Sequence, residues 1–496
     1  MHMAPSAHPL SSAPVHRDAY ALAVDARDPR FDGIFFVGIT TTRVYCRPVC
    51  PSRAAHDDHR RFFDSAAAAE QAGFRPCLRC RPELAPGRTA VAPVSRVAHA
   101  AAQRIAAGAL NGRSVADLAR ELGVSERHLR RALERELGVS PLGLAQTHRL
   151  LLAKRLLRDT ALSVTRVAYA SGFQSLRRFN AVFRAQYGMP PSALRRGAPV
   201  PASSRRRAAL ARCGAESLRL TLAYRAPFAW DSALAGLRGD AIPGIEVVTG
   251  RRYGRTVRIE GQRGVFFAEN QAPDAHVGVE VSASLIPALM PLIAGLRRFF
   301  DLDAEPAVVD AHLAQGGLAA LVARRPGVRL PGALDGFEVA LRALLGGRGS
   351  VGRVTKTLGE PLDTDVPGLT HLAPTAARVA EAGATCLAAL GVPRRRAGCI
   401  AAVARAVATG ALRLEPGSDV AATRHALLEI DGVSERHATL IVMRALSWPD
   451  AFAAGDRALQ RAAGVASEAA LLARAERWRP WRGYAALHLS LQDAER

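Results

Sequence analysis

Cys46-Arg47-Pro48-Val49-Cys50 and Cys77-Leu78-Arg79-Cys80 gather four of the chain's seven cysteines into two short pairs. Four thiolates satisfy tetrahedral Zn²⁺ completely, which is how a structural site closes. A redox CxxC or unrelated buried cysteines are the competing readings. A redox motif needs only one pair, and both pairs have ligand spacing. The expectation is one zinc held by Cys46, Cys50, Cys77 and Cys80. Arg43, Arg47, Arg53, Arg75, Arg79 and Arg81 flank the thiols. Cationic neighbours lower thiol pKa and also hold phosphates.

Outward from this cluster, the chain runs to 496 residues with 67 Lys+Arg against 44 Asp+Glu, a formal charge of +23. At about 100–200 residues per domain, that length holds roughly three or four domains. Hydrophobic residues at 49% supply real cores and exclude a wholly disordered chain. The positive excess favours a polyanionic partner, most simply nucleic acid; a solvated basic surface is the competing reading, which charge alone does not exclude. Met1–Leu10 lacks the basic and apolar regions of a signal peptide. The apolar stretch Val281–Leu296 contains Pro287 and Pro291 and is shorter than a membrane span. The expectation is a soluble cytoplasmic protein with no membrane partner.

Two linkers divide the chain. Pro86–Pro93 follows the cysteine segment, and the Pro/Ser-rich, basic stretch Ala198–Arg207 follows a helical region. That region repeats itself. Ser114-Val115, Leu118-Ala119 and Gly123 recur as Ser163-Val164, Val167-Ala168 and Gly172. Ser125, Leu129, Leu133, Gly138 and Pro141 recur as Ser175, Phe179, Phe183, Gly188 and Pro191. Two copies of one supersecondary unit are implied. In the first, Ser114 caps one helix, Gly123 turns, and Ser125 caps a second helix carrying Arg127, His128, Arg130 and Arg131. The second copy offers Gln174, Ser175, Arg177 and Arg178. One basic helical hairpin is ambiguous. Two copies in register favour recognition helices in a DNA major groove.

Beyond the second linker, Leu218–Leu222, Gly264–Ala268 and His276–Val281 read as strands. After about Pro306 the chain is rich in Ala and Leu at helical spacing. Leu427-Leu-Glu-Ile-Asp-Gly432-Val-Ser434 and the residues to Leu446 read as helix, glycine turn, helix, whose turn amides suit a DNA phosphate.

Three resemblances follow from these segments. Asp32–Cys50 and Ala72–Cys80 resemble the amino-terminal domain of the Ada methyl-phosphotriester repair proteins, over about Tyr20–Pro86. The resemblance implies that Cys46 is both ligand and nucleophile, irreversibly accepting methyl from a methylated DNA phosphate. It also implies that Thr42, Arg53 and Arg75 contact the DNA backbone. The tandem repeat, with Gly138-Val-Ser-Pro141 and Gly188-Met-Pro-Pro191, resembles the AraC-type DNA-binding domain. The remainder, about Glu216–Gln492, resembles the AlkA-type alkyladenine DNA glycosylases of the helix-hairpin-helix superfamily. Pro331–Gly346, the hairpin, Trp448–Leu459 and Trp478–His488 carry that resemblance.

It implies a catalytic Asp456, a phosphate-binding turn at Gly432 and Ser434, and a base pocket at Gly236, Arg436, Leu440 and Ser490. The family lines that pocket with aromatics, so this chain departs from it. Bifunctional members carry a Lys where Arg436 stands. A guanidinium cannot form a Schiff base, so a monofunctional enzyme is expected. No Pro-Cys-His-Arg segment is present, so the O6-methylguanine transferase domain of full-length Ada is not expected.

The expected fold class is multidomain α+β. A small zinc-binding α/β domain (15–86) leads to an AraC-type tandem helix-turn-helix (94–197) and a linker (198–214). An AlkA-like β-containing domain (215–303) and helix-hairpin-helix glycosylase helical domains (304–496) complete the chain. The implied function is an alkylation response. Methyl transfer to Cys46 switches promoter-specific activation, and the glycosylase removes alkylated bases such as 3-methyladenine. Its partners are double-stranded DNA and RNA polymerase. The rival reading is a transcriptional regulator whose glycosylase half binds DNA without cutting out bases.

Overall fold

A computed structural model of the chain describes residues 14–87, 96–196 and 217–493. The linker expected at 198–214, with Cys213 in it, lies outside the described residues. Residues 14–87 and 96–196 build one compact unit, and residues 217–493 build another.

The first unit begins with helix α1 (Pro14–Asp25) and a four-stranded sheet of β1 (Phe36–Ile39), β2 (Val44–Cys46), β3 (Arg60–Phe63) and β4 (Arg75–Pro76), in the order β3-β1-β2-β4. Strand alternation separates its two faces. Phe35, Val37, Cys46, Cys77 and Cys80 share one core, whereas Phe36, Tyr45 and Phe74 pack on the other side with α2 (Ala66–Gln71).

Seven helices follow: α3 (Arg96–Ala106), α4 (Val115–Glu121), α5 (Glu126–Leu137), α6 (Pro141–Asp159), α7 (Val164–Ala170), α8 (Leu176–Tyr187) and α9 (Pro191–Arg196). The internal repeat is realised cap for cap. Ser114, Ser125, Ser163 and Ser175 each accept a backbone N–H three residues on, at 3.1–3.3 Å. Gly123 (φ 67°) and Gly172 (φ 86°) make the turns in the left-handed region that β-carbon-bearing residues resist. The core of the first copy also takes in Ala67 of α2, so the sheet domain and the helices share buried surface.

The second unit opens with an antiparallel sheet of β5 (Ser217–Ala223), β6 (Glu246–Thr249), β7 (Arg252–Ile259), β8 (Gln262–Gln271) and β9 (His276–Ser282), ordered β5-β9-β8-β7-β6. The three strands expected from sequence are β5, β8 and β9. Helix α10 (Trp230–Asp240) lies between β5 and β6, and α11 (Leu289–Phe299) follows β9. The rest is helical apart from a two-stranded ribbon that pairs Glu360–Pro361 with His371–Leu372. It comprises α12 (Pro306–Leu313), α13 (Ala319–Arg324), α14 (Gly336–Leu345), α15 (Arg348–Leu358), α16 (Ala376–Ala389), α17 (Arg394–Ala408), α18 (Val420–Leu428), α19 (Glu435–Ala445), α20 (Arg457–Ala462), α21 (Glu468–Ala475) and α22 (Arg482–Asp493).

Val281–Leu296 is split among the end of β9, a 3₁₀ turn and α11. Pro306–Arg324, with 19 residues and mean hydropathy 1.2, is long and apolar enough to cross a membrane. Gly317 breaks it (φ 92°), and its Leu313, Leu318 and Leu321 pack in the core around Trp478.

A buried charge network ties the sheet to the helices. Arg255 of β7 meets Glu338 of α14 at 2.7 Å, and Arg342 bridges Glu338 and Glu246, each at 2.7 Å. Burial pushes the Glu338 carboxyl up, but Arg255 and Arg342 outweigh it and hold it at about 2. Removing one member of such a network leaves uncompensated buried charge, at about 3–5 kcal/mol. Glu338→Ala should destabilise this unit by that amount in denaturant unfolding followed by tryptophan fluorescence. Trp230, Trp448, Trp478 and Trp481 all lie in it, so the signal belongs to this unit. The folded carboxyl titrates below the usual value of about 4.3. The Glu338 contribution is therefore complete above that pH and vanishes as pH falls through about 2.

Candidate functional site

Cys46 ends β2, Cys50 follows one turn later, and Cys77 and Cys80 flank a turn after β4. Their four sulfurs all lie within 4.8 Å of one another, with Cys46, Cys77 and Cys80 buried and Cys50 half-buried. Tetrahedral Zn–S bonds of about 2.3 Å require sulfurs about 3.8 Å apart, so the cluster fits one Zn²⁺. The donor chemistry agrees. Proton sharing with Cys50, Cys77 and Cys80 drives Cys46 up, and sharing with Cys46 brings Cys77 down to about 6. A divalent cation takes the place of those protons.

Backbone amides face the sulfurs as well. Arg47 N–H donates to Cys80 Sγ at 3.3 Å, and Arg79 N–H to Cys77 Sγ at 3.4 Å.

The six flanking arginines divide into two groups. Arg47 forks onto Asp32, with Nε to Oδ1 at 2.8 Å. Arg81 bridges Glu83 at 3.1 Å and Asp159 at 2.7 Å. These two are internal braces. Arg43, Arg53, Arg75 and Arg79 are exposed, as is Thr42. Arg43 lies over the Phe74 ring, 5.2 Å from its centroid.

The metal cluster is bonded into the helix-turn-helix. Lys154 of α6 is fully buried, pairs with Glu83 at 2.5 Å, and donates to the carbonyl of the ligand Cys77 at 3.0 Å. Nearby, Glu70 of α2 accepts from Tyr45 OH at 3.0 Å and from Thr147 of α6 at 2.8 Å. Burial pushes the Glu70 carboxyl up to about 7 against both hydroxyls and Lys154. Sequence reasoning missed Lys154, Glu83 and Glu70. Lys154 carried a signal: with Arg155 it interrupts an apolar stretch of α6, between buried Ala153 and Leu156.

Of the residues assigned to recognition, Arg127, His128 and Arg131 on α5 are exposed, as are Gln174, Ser175, Arg177 and Arg178 at the start of α8. Arg130 is half-buried and ion-paired to Glu126 one turn back, at 2.5 Å.

In the second unit, Gly432 turns between α18 and α19 (φ 92°), and Ser434 caps α19 in a reciprocal box with His437. Asp456 caps α20, accepting from Ala458 N–H at 2.8 Å, and its second oxygen meets Arg436 Nε at 3.1 Å. The Asp456 side chain is 15% exposed against 72% for Arg436, so the acid is recessed beneath the cation. Gly236 lines a cavity between α10, α11 and α22, whereas Arg436, Leu440 and Ser490 are not among its walls. Ser490 instead donates to the carbonyl of Ala486 at 2.9 Å.

Fold and site together define a DNA-binding regulator with a cysteine-ligated metal centre, joined to a DNA-glycosylase architecture. Family models agree segment by segment. Residues 19–83 match the metal binding domain of Ada, 118–197 a helix-turn-helix domain, and 219–335 the AlkA N-terminal domain. The "Probable bifunctional transcriptional activator/DNA repair enzyme AlkA" of Mycobacterium tuberculosis is 39% identical over 479 residues, covering 94% of each chain. The chain belongs to that family of bifunctional transcriptional activator/DNA repair proteins. DNA-3-methyladenine glycosylase 2 of Escherichia coli is 33% identical over 276 residues, 54% of this chain and 95% of its own. Ada of E. coli, a bifunctional transcriptional activator/DNA repair enzyme, is 33% identical over 153 residues, 30% of this chain and 41% of its own.

Elemental analysis of the pure protein should find one zinc per chain. Cys77→Ser should lose it, whereas replacing Cys386 and Cys399 together should not. Zinc-free protein that keeps its native fold would remove the assignment.

Proposed function

We propose that Cys46 accepts a methyl group from a DNA methyl phosphotriester and that the modified protein activates promoters. The observation that carries this reading is the thiol cluster itself: four sulfurs within 4.8 Å, beside exposed Thr42, Arg53 and Arg75. A bound zinc keeps the sulfur deprotonated at neutral pH. Cys46 Sγ forms a bond to the methyl carbon, the carbon–oxygen bond of the triester breaks, and its electron pair restores the phosphodiester charge. A neutral triester does not repel a thiolate as a diester does. The product is a thioether with one negative charge fewer near DNA, so docking tightens and falls steeply with salt. Thr42, Arg53 and Arg75 hold the backbone. Arg127, His128, Arg130 and Arg131, with Gln174, Ser175, Arg177 and Arg178, read the promoter. RNA polymerase is the partner recruited, in the cytoplasm.

The second activity in this reading is monofunctional base excision. Gly432 and Ser434 seat a phosphate at the amino terminus of α19. Cleavage of the N-glycosidic bond leaves its electron pair with the everted base, and Asp456 stabilises the positive charge that develops on the sugar. Water then adds at C1′ and releases its proton. Arg436 must yield the carboxylate for this to happen. That pair is the specific observation favouring the rival, a regulator whose glycosylase half only binds DNA.

Mass spectrometry after exposure to methylated DNA should find the added methyl on the Cys46 peptide alone; a methyl on Cys80 would overturn the assignment. Asp456→Asn should lower release of 3-methyladenine from methylated duplex by about 10²–10³ while leaving DNA affinity nearly intact. Equal release by both proteins would move the chemistry to another residue. No release by either, with binding intact, would establish the rival.

A further inference from the structure

The last two turns of α6 close on the turn that carries Cys77 and Cys80. Three of their side chains reach it in sequence order. Lys154 donates to the Cys77 carbonyl at 3.0 Å, Arg158 Nη1 donates to the Leu78 carbonyl at 3.0 Å, and Asp159 pairs with Arg81 at 2.7 Å. Two metal-ligand cysteines therefore sit on a turn whose carbonyls face cations of the helix-turn-helix half.

One of these contacts acts on a sulfur. The carbonyl of Leu78 and the N–H of Arg79 belong to a single peptide unit, which is planar and stiff. Its carbonyl accepts from Arg158, and its N–H donates to Cys77 Sγ at 3.4 Å. Holding one end of that plane aims the other. A cation on the carbonyl also polarises the peptide and strengthens its N–H as a donor. A stronger donor stabilises the Cys77 thiolate, which is the form that binds metal. Lys154 holds the preceding peptide by its carbonyl and so fixes the start of the same turn.

Helix α6 is itself anchored in both copies of the repeat. Its Leu144 and Ala145 share a core with Leu129 and Leu133 of α5. The carbonyl of its Leu150 accepts from Tyr187 OH of α8 at 3.2 Å. The grip on the cysteine turn is thus fixed by the packing of the helices, not by the cysteine domain.

We propose that Lys154 and Arg158 are positioning residues of the metal centre, and that the cysteine domain takes part of its metal affinity from the helix-turn-helix. Both act through the backbone of the turn. Partners of this kind orient metal ligands, and losing one typically costs about ten-fold or more in affinity. The role needs only a divalent cation on the four thiols, whatever happens at Cys46.

The test uses the reduced full-length protein loaded with Co²⁺, whose visible absorption reports thiolate ligation. Metal affinity is read by competition against a chelator. Arg158→Met should weaken binding by about ten-fold. It should also move the thiolate-to-cobalt bands to lower energy, because a sulfur with a weaker donor gives up electron density more readily. Lys154→Met combined with Glu83→Gln removes both charges of the buried pair and should weaken binding to a similar extent. Arg158 is only half-buried, so its variant decides the matter even if the double variant folds poorly. Arg104→Met with Glu121→Gln breaks an ion pair of 3.1 Å between α3 and α4 and should leave affinity and bands as in wild type. Wild-type affinity or unmoved bands in Arg158→Met overturn the inference. An equal loss in the Arg104 and Glu121 variant also overturns it, because the effect would then be general destabilisation of the unit.

Discussion

Four sulfurs held within 4.8 Å of one another are a charge problem before they are a catalyst. As thiolates they repel one another at close quarters, and as thiols they are poor ligands and poor nucleophiles. A divalent cation resolves the conflict, and much of the amino-terminal unit serves that solution. Amides of Arg47 and Arg79 point at sulfur, and Asp32 holds the Arg47 side chain. Lys154 grips the carbonyl of Cys77 from behind, itself neutralised by Glu83. The exposed arginines are those not needed for this bracing. The same amino acid thus acts as internal strut at Arg47 and Arg81 and as exposed charge at Arg53 and Arg75.

The carboxy-terminal unit answers the same constraint differently. Its sheet is locked to its helices by Arg255, Glu338, Arg342 and Glu246, where each buried charge has a partner. Asp456 and Arg436 form a looser, half-exposed pair of the kind worth at most about 1 kcal/mol. A phosphate or a sugar cation can compete for either member. Among the described residues, the buried Nε of Arg444 has no hydrogen-bond partner.

Much of this was legible in the sequence because local chemistry specified it. The cysteine spacing, the Ser caps at Ser114, Ser125, Ser163 and Ser175, and the turn glycines at Gly123 and Gly172 act over a few residues. Each appears where the pattern put it. Strands β6 and β7 escaped notice because β6 is only four residues long at the sheet edge, and β7, buried at five successive positions with arginines among them, lacks clean alternation. The cavity was harder still. Its walls come from α10, α11, α19 and α22, and no linear motif announces that Gly236, Phe299, Arg444 and Leu491 share one space. Asp456 was legible in two ways, as a helix cap and as an acid near the hairpin, and it is built as both: one oxygen caps α20 and the other remains for an ionic partner.

The seam between the metal domain and α6 bears on how such chains are assembled. A short linker joining two domains invites shuffling, in which one regulator's sensor is grafted onto another's DNA reader. Here the join is carried by Lys154 with Glu83, by Thr147 with Glu70, and by Arg81 with Asp159, each pairing α6 with a residue before the linker. A foreign sensor would leave Lys154 sealed in apolar surroundings without its carboxylate. A foreign reader would strand Glu83 in the same way. The two parts are fitted to one another, and a chimera divided at the linker must carry these three contacts across to bury the same charges.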